Sequence, residues 1–229
     1  RRMSGPDPLA GLDPVVQEST PAIIARALRR AISDGTFGPG DQLGEAALAR
    51  SLGVSRGPLR EAMQRLTQEG LLVSHRNRGL FVPELTAESV SDMYLLRTTI
   101  ETAALDRILE TGVGAETADA LDDAVDAMAV LADEPRSAAM VAADLGFHHV
   151  LVEAASSPRL SRVHETVLVE TSMCLHAMSG TYTDARSRLS EHREIAAAVR
   201  AGEAGRARTL LVEHMDDGHA RVRAAGLVT

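Results

Sequence analysis

From Thr86 to about residue 225 the chain shows no run of alternating apolar and polar residues of the kind a half-buried strand requires. Apolar residues recur instead at intervals of three and four. Breaks fall at Gly112 to Gly114, Asp133 to Pro135, Ser156 to Pro158, Gly180 to Thr183, and Gly202. Residues 84–229 are therefore constrained to an all-α bundle of about six helices, with Thr86 as the first cap. The composition agrees: 36 alanines against five aromatic residues leave a core of small and aliphatic side chains, which suits closely packed helices. With 45% apolar and 24% charged residues over 229 positions, the chain reads as one or two globular domains, not a disordered one. No stretch reaches the roughly 18 uncharged apolar residues of a membrane helix, and the N-terminus lacks a signal-peptide layout. The expectation is a cytoplasmic protein with no membrane partner. Cys174 is the single cysteine, so it forms no internal disulfide, and its apolar neighbours mark it as a buried, inert thiol.

The net charge of −8 conceals two unlike parts. Residues 1–83 hold 11 arginines and 8 acids, a balance of +3, whereas residues 84–229 hold 13 arginines and 24 acids, a balance of −11. There is no lysine, so every cationic contact comes from a guanidinium, which suits forked hydrogen bonds to phosphates and guanine edges.

Within the basic part, residues 1–18 form a polar leader rich in Gly, Pro and Asp, expected to be loose. A helix is signalled at Ser19, Thr20 and Pro21. It carries Ile23, Ile24, Ala27, Leu28, Ala31 and Ile32 at helical spacing and ends at Asp34-Gly35. Gly38 to Asp41 turns the chain into a short helix from Glu45 to Leu52. Gly53 permits the sharp turn that follows, Ser55 stands where it can cap the next helix, and Leu59, Met63 and Leu66 form that helix's buried stripe as far as about Glu69. Leu71 to Val73 and Leu80 to Val82 read as strands joined by the basic turn His75-Arg76-Asn77-Arg78-Gly79. Residues 19–83 thus have the layout of a winged helix-turn-helix, whose second helix enters the DNA major groove while the wing holds phosphates. Arg56 stands where bases are read; Ser55, Gly57, Arg60, Arg65 and the turn residues complete the expected DNA face. For Arg60 and Arg65 taken alone, ion pairs with Glu61 and Glu69 are the competing reading.

The acidic part carries polar anomalies on apolar stripes. Met140, Asp144, Phe147, His148, Leu151 and Ala155 share one face; Leu189, His192, Ile195, Ala196 and Val199 share another; Ala207, Leu211, His214 and Gly218 a third. Burying one carboxylate and three imidazoles requires partners for all four. One divalent cation bound by Asp144, His148, His192 and His214 satisfies them together; the ligand types favour zinc and also admit nickel or manganese. His149, His164, His176 and His219 read as surface or packing residues.

The run Gly35, Pro39-Gly40, Leu43, Leu48-Ala49, Leu52-Gly53-Val54-Ser55-Arg56, Pro58, Leu59-Arg60-Glu61-Ala62, Leu66, Glu69-Gly70-Leu71 and Asn77-Arg78-Gly79 resembles the DNA-binding domain of GntR-family bacterial transcription regulators. Gly57 departs from that pattern, where threonine is common. Asp144 with His148, the segment Ser190-Glu191-His192 with Ile195, and His214 in the last helix resemble the metal-binding FCD effector domain of the FadR subfamily. Here Ser157 replaces a usual asparagine. The resemblance implies a homodimer whose bundle holds a metal and a small organic acid. Arg97 and Glu101 match a further family feature. Arg97 either forks onto the carboxylate of the effector or forms an i, i+4 ion pair with Glu101 that fixes the helix.

The resulting expectation is a ligand-responsive regulator, more specifically a repressor, whose paired recognition helices bind a near-palindromic operator in double-stranded DNA. It is not expected to be an enzyme. Two competing readings are a metal-dependent enzyme, since such ligands with an open position activate water, and a regulator for which the metal itself is the signal.

Overall fold

The computed structural model describes residues 18–133, 137–177 and 185–226. Of the expected leader, residues 1–18, all but Glu18 lies outside them; Glu18 pairs with Arg26 at 2.7 Å. The architecture is the one expected, mainly α, with an N-terminal winged helix-turn-helix followed by a helical bundle.

Helix α1 (Thr20–Ser33) begins where Ser19 accepts the backbone N–H of Ala22 and proline occupies the first turn. It buries Ile24, Ala25, Leu28 and Ile32. Helix α2 (Glu45–Leu52) ends at Gly53, whose φ of 65° lies in the left-handed region that a helix terminus of this kind demands. Helix α3 (Arg56–Gln68) buries Leu59, Ala62, Met63 and Leu66, the two leucines and the methionine contributing about 1.5 to 3 kcal/mol of burial each. Ser55 occupies the N-cap position, but its hydroxyl makes no capping bond, which corrects the expected role.

The wing is a three-stranded antiparallel sheet in the order β1 (Gln42–Leu43), β3 (Gly79–Phe81), β2 (Val73–His75). Both hairpin strands differ from expectation. Leu71 and Leu72 are fully buried under α3 and do not join the ladder, which starts at Val73 paired with Phe81 and ends at His75 paired with Gly79. Asn77, at φ 62°, makes the turn.

Among the described residues six helices follow: α4 (Ala87–Thr111), α5 (Ala115–Val130), α6 (Ala138–Ala154), α7 (Pro158–Ala177), α8 (Ala185–Arg200) and α9 (Ala204–Ala224). Thr86 caps α4 in a reciprocal box with Ser89. The expected break at Gly180 to Thr183 lies outside the described residues, as does most of that at Asp133 to Pro135. The bundle core gathers Leu105, Leu121, Met128, Phe147, Leu151 and Leu211, with Cys174 buried among them as expected.

The two halves share a surface. Val169 and Met173 of α7 belong to the core of the N-terminal half, and Ser172 Oγ of the same helix donates to the Ser33 carbonyl at 2.6 Å. A cavity of about 90 Å³ remains at this junction, lined by Leu71, Pro83, Val90, Met93, Glu170 and Met173.

Candidate metal centre and nucleic-acid interface

Each polar anomaly read from the sequence arrives at one place. His148 on α6, His192 on α8 and His214 on α9 are buried, and their candidate ligand atoms all lie within 4.8 Å of one another. His148 Nε2 is 3.2 Å from both His192 Nε2 and His214 Nε2. Phe147 closes the wall, edge-on to His192 at 4.8 Å.

The other nitrogen of each ring fixes the tautomer. His148 Nδ1 donates to Glu101 Oε2 at 2.6 Å, His192 Nδ1 to the Arg188 carbonyl at 2.7 Å, and His214 Nδ1 to Glu191 Oε2 at 2.7 Å. Carboxylates and carbonyls only accept, so the proton of each neutral ring sits on Nδ1 and the lone pair on Nε2. Burial, reinforced by Arg97, holds His148 down at about 4; burial likewise lowers His192, and burial with the two neighbouring imidazoles lowers His214. The rings are therefore neutral near pH 7. Three lone pairs then converge at distances where no proton is available to bridge them, and such a donor set fits a divalent cation.

Asp144 is also buried here, but it falls outside the mutually close set. Its Oδ1 lies 3.6 Å from His192 Nε2, while both carboxylate oxygens accept from Arg188, at 3.0 to 3.3 Å. Burial opposes its ionisation, and Arg188 with the surrounding imidazoles more than offsets that, keeping Asp144 well below the usual carboxylate range.

Arg97 makes the i, i+4 contact, Nε donating to Glu101 Oε1 at 2.7 Å. Its Nη2 is buried without a hydrogen-bond partner among the described residues, so the ion pair leaves part of the fork unused. Glu101 also accepts from His164 Nε2 at 3.1 Å. His164, expected as a surface or packing residue, is fully buried and belongs to the site's surroundings. Glu101, Glu191 and Arg188 were not among the expected metal or DNA residues; Arg188 and His192 stand four apart on α8, a spacing that marks them as sharing a face. Of the remaining histidines, His149 is exposed, His176 bonds the Ser172 carbonyl, and His219 stacks on Tyr94.

On the opposite half, Ser55, Arg56, Gly57, Arg60 and Arg65 are exposed along α3. His75, Arg76, Asn77, Arg78 and Gly79 are exposed on the wing, where the Arg78 guanidinium lies 5.2 Å over the Phe81 ring. The pairs Arg60–Glu61 and Arg65–Glu69 do not form as anticipated. Arg60 Nε donates to Glu45 of α2 at 2.8 Å, and Glu69 is clamped by Arg29 of α1. Among the described residues, no helix is long and apolar enough to cross a membrane.

The comparisons with known proteins fall on the same two halves. Residues 22–82 match the family of bacterial regulatory proteins, gntR family, and residues 92–217, more than half of the chain, match the FCD domain. An HTH-type transcriptional regulator of Mycobacterium tuberculosis is 33% identical over 196 residues, covering 79% of this chain and 80% of that protein. The HTH-type regulator YdhC of Bacillus subtilis is 40% identical over 83 residues; that match spans 36% of this chain and only 37% of the relative. A solved structure of a GntR regulator from Rhodococcus sp. RHA1 superposes with a TM-score of 0.78 at 30% identity, over 90% of this chain and 99% of that one. With an arginine-bearing helix and wing in its N-terminal half and three converging imidazoles in its C-terminal half, the chain belongs to the GntR family of bacterial regulatory proteins, carries an FCD domain, and is a DNA-binding regulator of transcription.

Proposed function

We propose that the chain is a metabolite-responsive regulator of the FadR subfamily, a repressor, acting as a cytoplasmic homodimer on a near-palindromic operator. Its helical bundle holds a divalent cation, zinc first, through His148, His192 and His214 with Asp144 beside them, and a small organic acid binds next to that cation. The observation that carries this reading is the triad of inward lone pairs on neutral rings, flanked by a buried Arg97 Nη2 that has no hydrogen-bond partner among the described residues. A carboxylate is the group a half-used guanidinium fork accepts best.

The path from effector to DNA is supported by α7. His164 on that helix touches Glu101 beside the triad, and eight residues later, about 12 Å along the axis, Ser172 bonds Ser33 of α1. An effector acts through this path only to the extent that its affinity differs between the two placements of the DNA-binding halves. Ser55, Arg56, Gly57, Arg60 and Arg65 face the major groove in this reading, with residues 75–79 on the phosphates.

A metal-dependent hydrolase would need an inward base to spare. Glu101 is taken by Arg97, His148 and His164, Asp144 by Arg188, and Glu191 by His214 and Arg221, which supports a binding site and not a reaction centre. The test is a gel-shift titration of metal-loaded protein on upstream DNA of its own gene, with a panel of small carboxylic acids. Sequence-specific binding that an acid releases is expected. Equal affinity for all DNA, or a response to metal alone with no acid effective, refutes the acid-sensing reading.

A further inference from the structure

The core of the N-terminal half and the core of the bundle adjoin around residues 83–85 without filling the space between them. Leu71 and Met173 belong to the first, Val90 and Met93 to the second, and Leu85 packs against both. The cavity of about 90 Å³ lies among these side chains, with Pro83 of the connection in its wall. Protein interiors are close-packed, so a void between two cores leaves its lining atoms short of contacts that a ligand can supply. Apolar cavities stay dry and take up small apolar molecules. One of about 150 Å³ holds benzene, so about 90 Å³ scales to a ligand portion of about four heavy atoms.

The charged groups at this cavity have one sign. Glu84 and Glu170 line it, no arginine does, and the sequence has no lysine. Glu170 is half-buried on α7, and neither carboxylate has a hydrogen-bond or ion-pair partner among the described residues. Burial, with the Asp92 carboxylate of α4 adding to it, raises the Glu170 carboxyl above its ordinary value, and a cation at that carboxylate would offset both effects. An anion is repelled here, and a bare inorganic cation would lose its hydration against an apolar wall. An alkylammonium ion matches both parts, with hydrocarbon for the void and N–H donors for the carboxylate.

We propose that this joint is a binding site for a small primary alkylamine, held as its ammonium ion with about three or four carbons in the cavity and the nitrogen on Glu170, and that its occupancy changes affinity for DNA. The cavity touches both halves at once: Leu71 lies under α3, Pro83 in the connection, Met93 on α4 and Met173 on α7. A ligand there favours the placement of the DNA-binding half that keeps the cavity intact, and it acts on DNA to the extent that the DNA-bound placement differs. The histidine triad is elsewhere. None of Arg97, Glu101, His148, His192 and His214 lines the cavity, and Glu170 stands six residues beyond His164 on α7, about 9 Å along the axis. The amine site therefore needs neither the metal nor the acid.

The experiment uses the full chain, treated with chelator, with its eight methionines isotope-labelled at the methyl group. In an NMR titration at constant ionic strength, n-butylamine should shift the Met93 and Met173 signals together, identified with M93L and M173L, and saturate on the order of 1 mM, as suits so small a ligand. n-Butanol, which lacks the charge, and methylamine, which lacks the chain, should each bind about tenfold more weakly or worse. In E170Q, n-butylamine should lose its advantage over n-butanol. V90F fills the cavity and should abolish the shifts with either, and E170Q carries the test should V90F fail to fold. Fluorescence anisotropy on the upstream DNA of its own gene, at the same ionic strength, should show affinity changed about threefold or more by saturating n-butylamine in wild type and unchanged in E170Q. Shifts confined to other methionines, equal binding of amine and alcohol to wild type, or full amine affinity in E170Q overturns the proposed site. Amine binding that leaves DNA affinity unmoved overturns its coupling to DNA.

Discussion

Replacing Glu101 by glutamine changes a single atom type yet breaks the most connected group in the bundle. The carboxylate takes three donors: Arg97 Nε at 2.7 Å and His164 Nε2 at 3.1 Å on one oxygen, His148 Nδ1 at 2.6 Å on the other. The amide offers one acceptor oxygen and presents N–H groups to whatever faces its other end. If the oxygen stays with Arg97, the amide confronts His148 Nδ1–H, donor against donor. Relief then requires His148 to move its proton to Nε2, the atom that points at the other two imidazoles. If the oxygen turns to His148, Arg97 faces the amide N–H groups, and in either orientation it keeps a full charge, 2% exposed, without its counter-ion. Breaking a buried pair in this way costs about 3 to 5 kcal/mol. For a chain of this size each kcal/mol moves the melting temperature by about 2 to 4 °C, so Glu101→Gln should melt about 10 °C below wild type. Because Glu101 orients a ring whose far nitrogen points into the triad, zinc affinity should fall about 10- to 100-fold as well. Scanning calorimetry and chelator competition read the two effects separately, with Glu110→Gln on the exposed part of the same helix expected to change stability by less than about 0.5 kcal/mol. A Glu101→Gln protein that melts within about 2 °C of wild type and binds zinc equally well would show that the hub is not under electrostatic load, and the tautomer assignment at His148 would fall with it.

Arg56→Ala should weaken binding to the specific operator by about 1 to 3 kcal/mol in a fluorescence anisotropy titration; an equal loss on random DNA demotes Arg56 to a phosphate contact. Arg76→Ala and Arg78→Ala should instead lower affinity for any duplex and reduce the slope of log affinity against log salt by about one each; an unchanged slope removes the wing from the phosphate contacts. Gly53→Ala places a side chain at φ 65° and should cost about 1 to 2 kcal/mol in urea denaturation, although nothing lies within 4 Å of the added methyl; a neutral result would deny the left-handed turn between α2 and α3. His148 is held at about 4 in the fold against 6.5 in the open chain, so below pH 6.5 the unfolded chain takes up a proton that the metal-free folded chain refuses. Stability should therefore fall as the pH drops from 6.5 towards 4, by about 3 kcal/mol from this group; a His148→Gln protein with the same pH slope as wild type would contradict it.

The fold was legible because most of its determinants are local. Helix α2 occupies the residues that Gly53 and the preceding turn delimit, and the three stripes carrying Asp144, His148, His192 and His214 are buried as their spacing requires. The sheet was less so. Strand β1 has only two residues, too few for alternation to register, and the buried Leu71 and Leu72 mimic strand residues while serving as packing under α3. At the site, helical spacing shows which way a side chain points and not which groups it meets. Glu101 stood four residues after Arg97, where an ion pair is an adequate account. Only the approach of α6 and α7 to α4 reveals that it also fixes His148 and His164. The same holds for Asp144. On its own helix it is a natural companion of His148, and nothing local distinguishes a carboxylate bound to a cation from one bound to a guanidinium. Arg188, 44 residues away in sequence, reaches both Asp144 oxygens from α8, a contact that the spacing on α6 does not contain. Spacing on one helix therefore nominates a carboxylate for a site, and only the packing of a facing helix reveals a guanidinium that bonds the same oxygens.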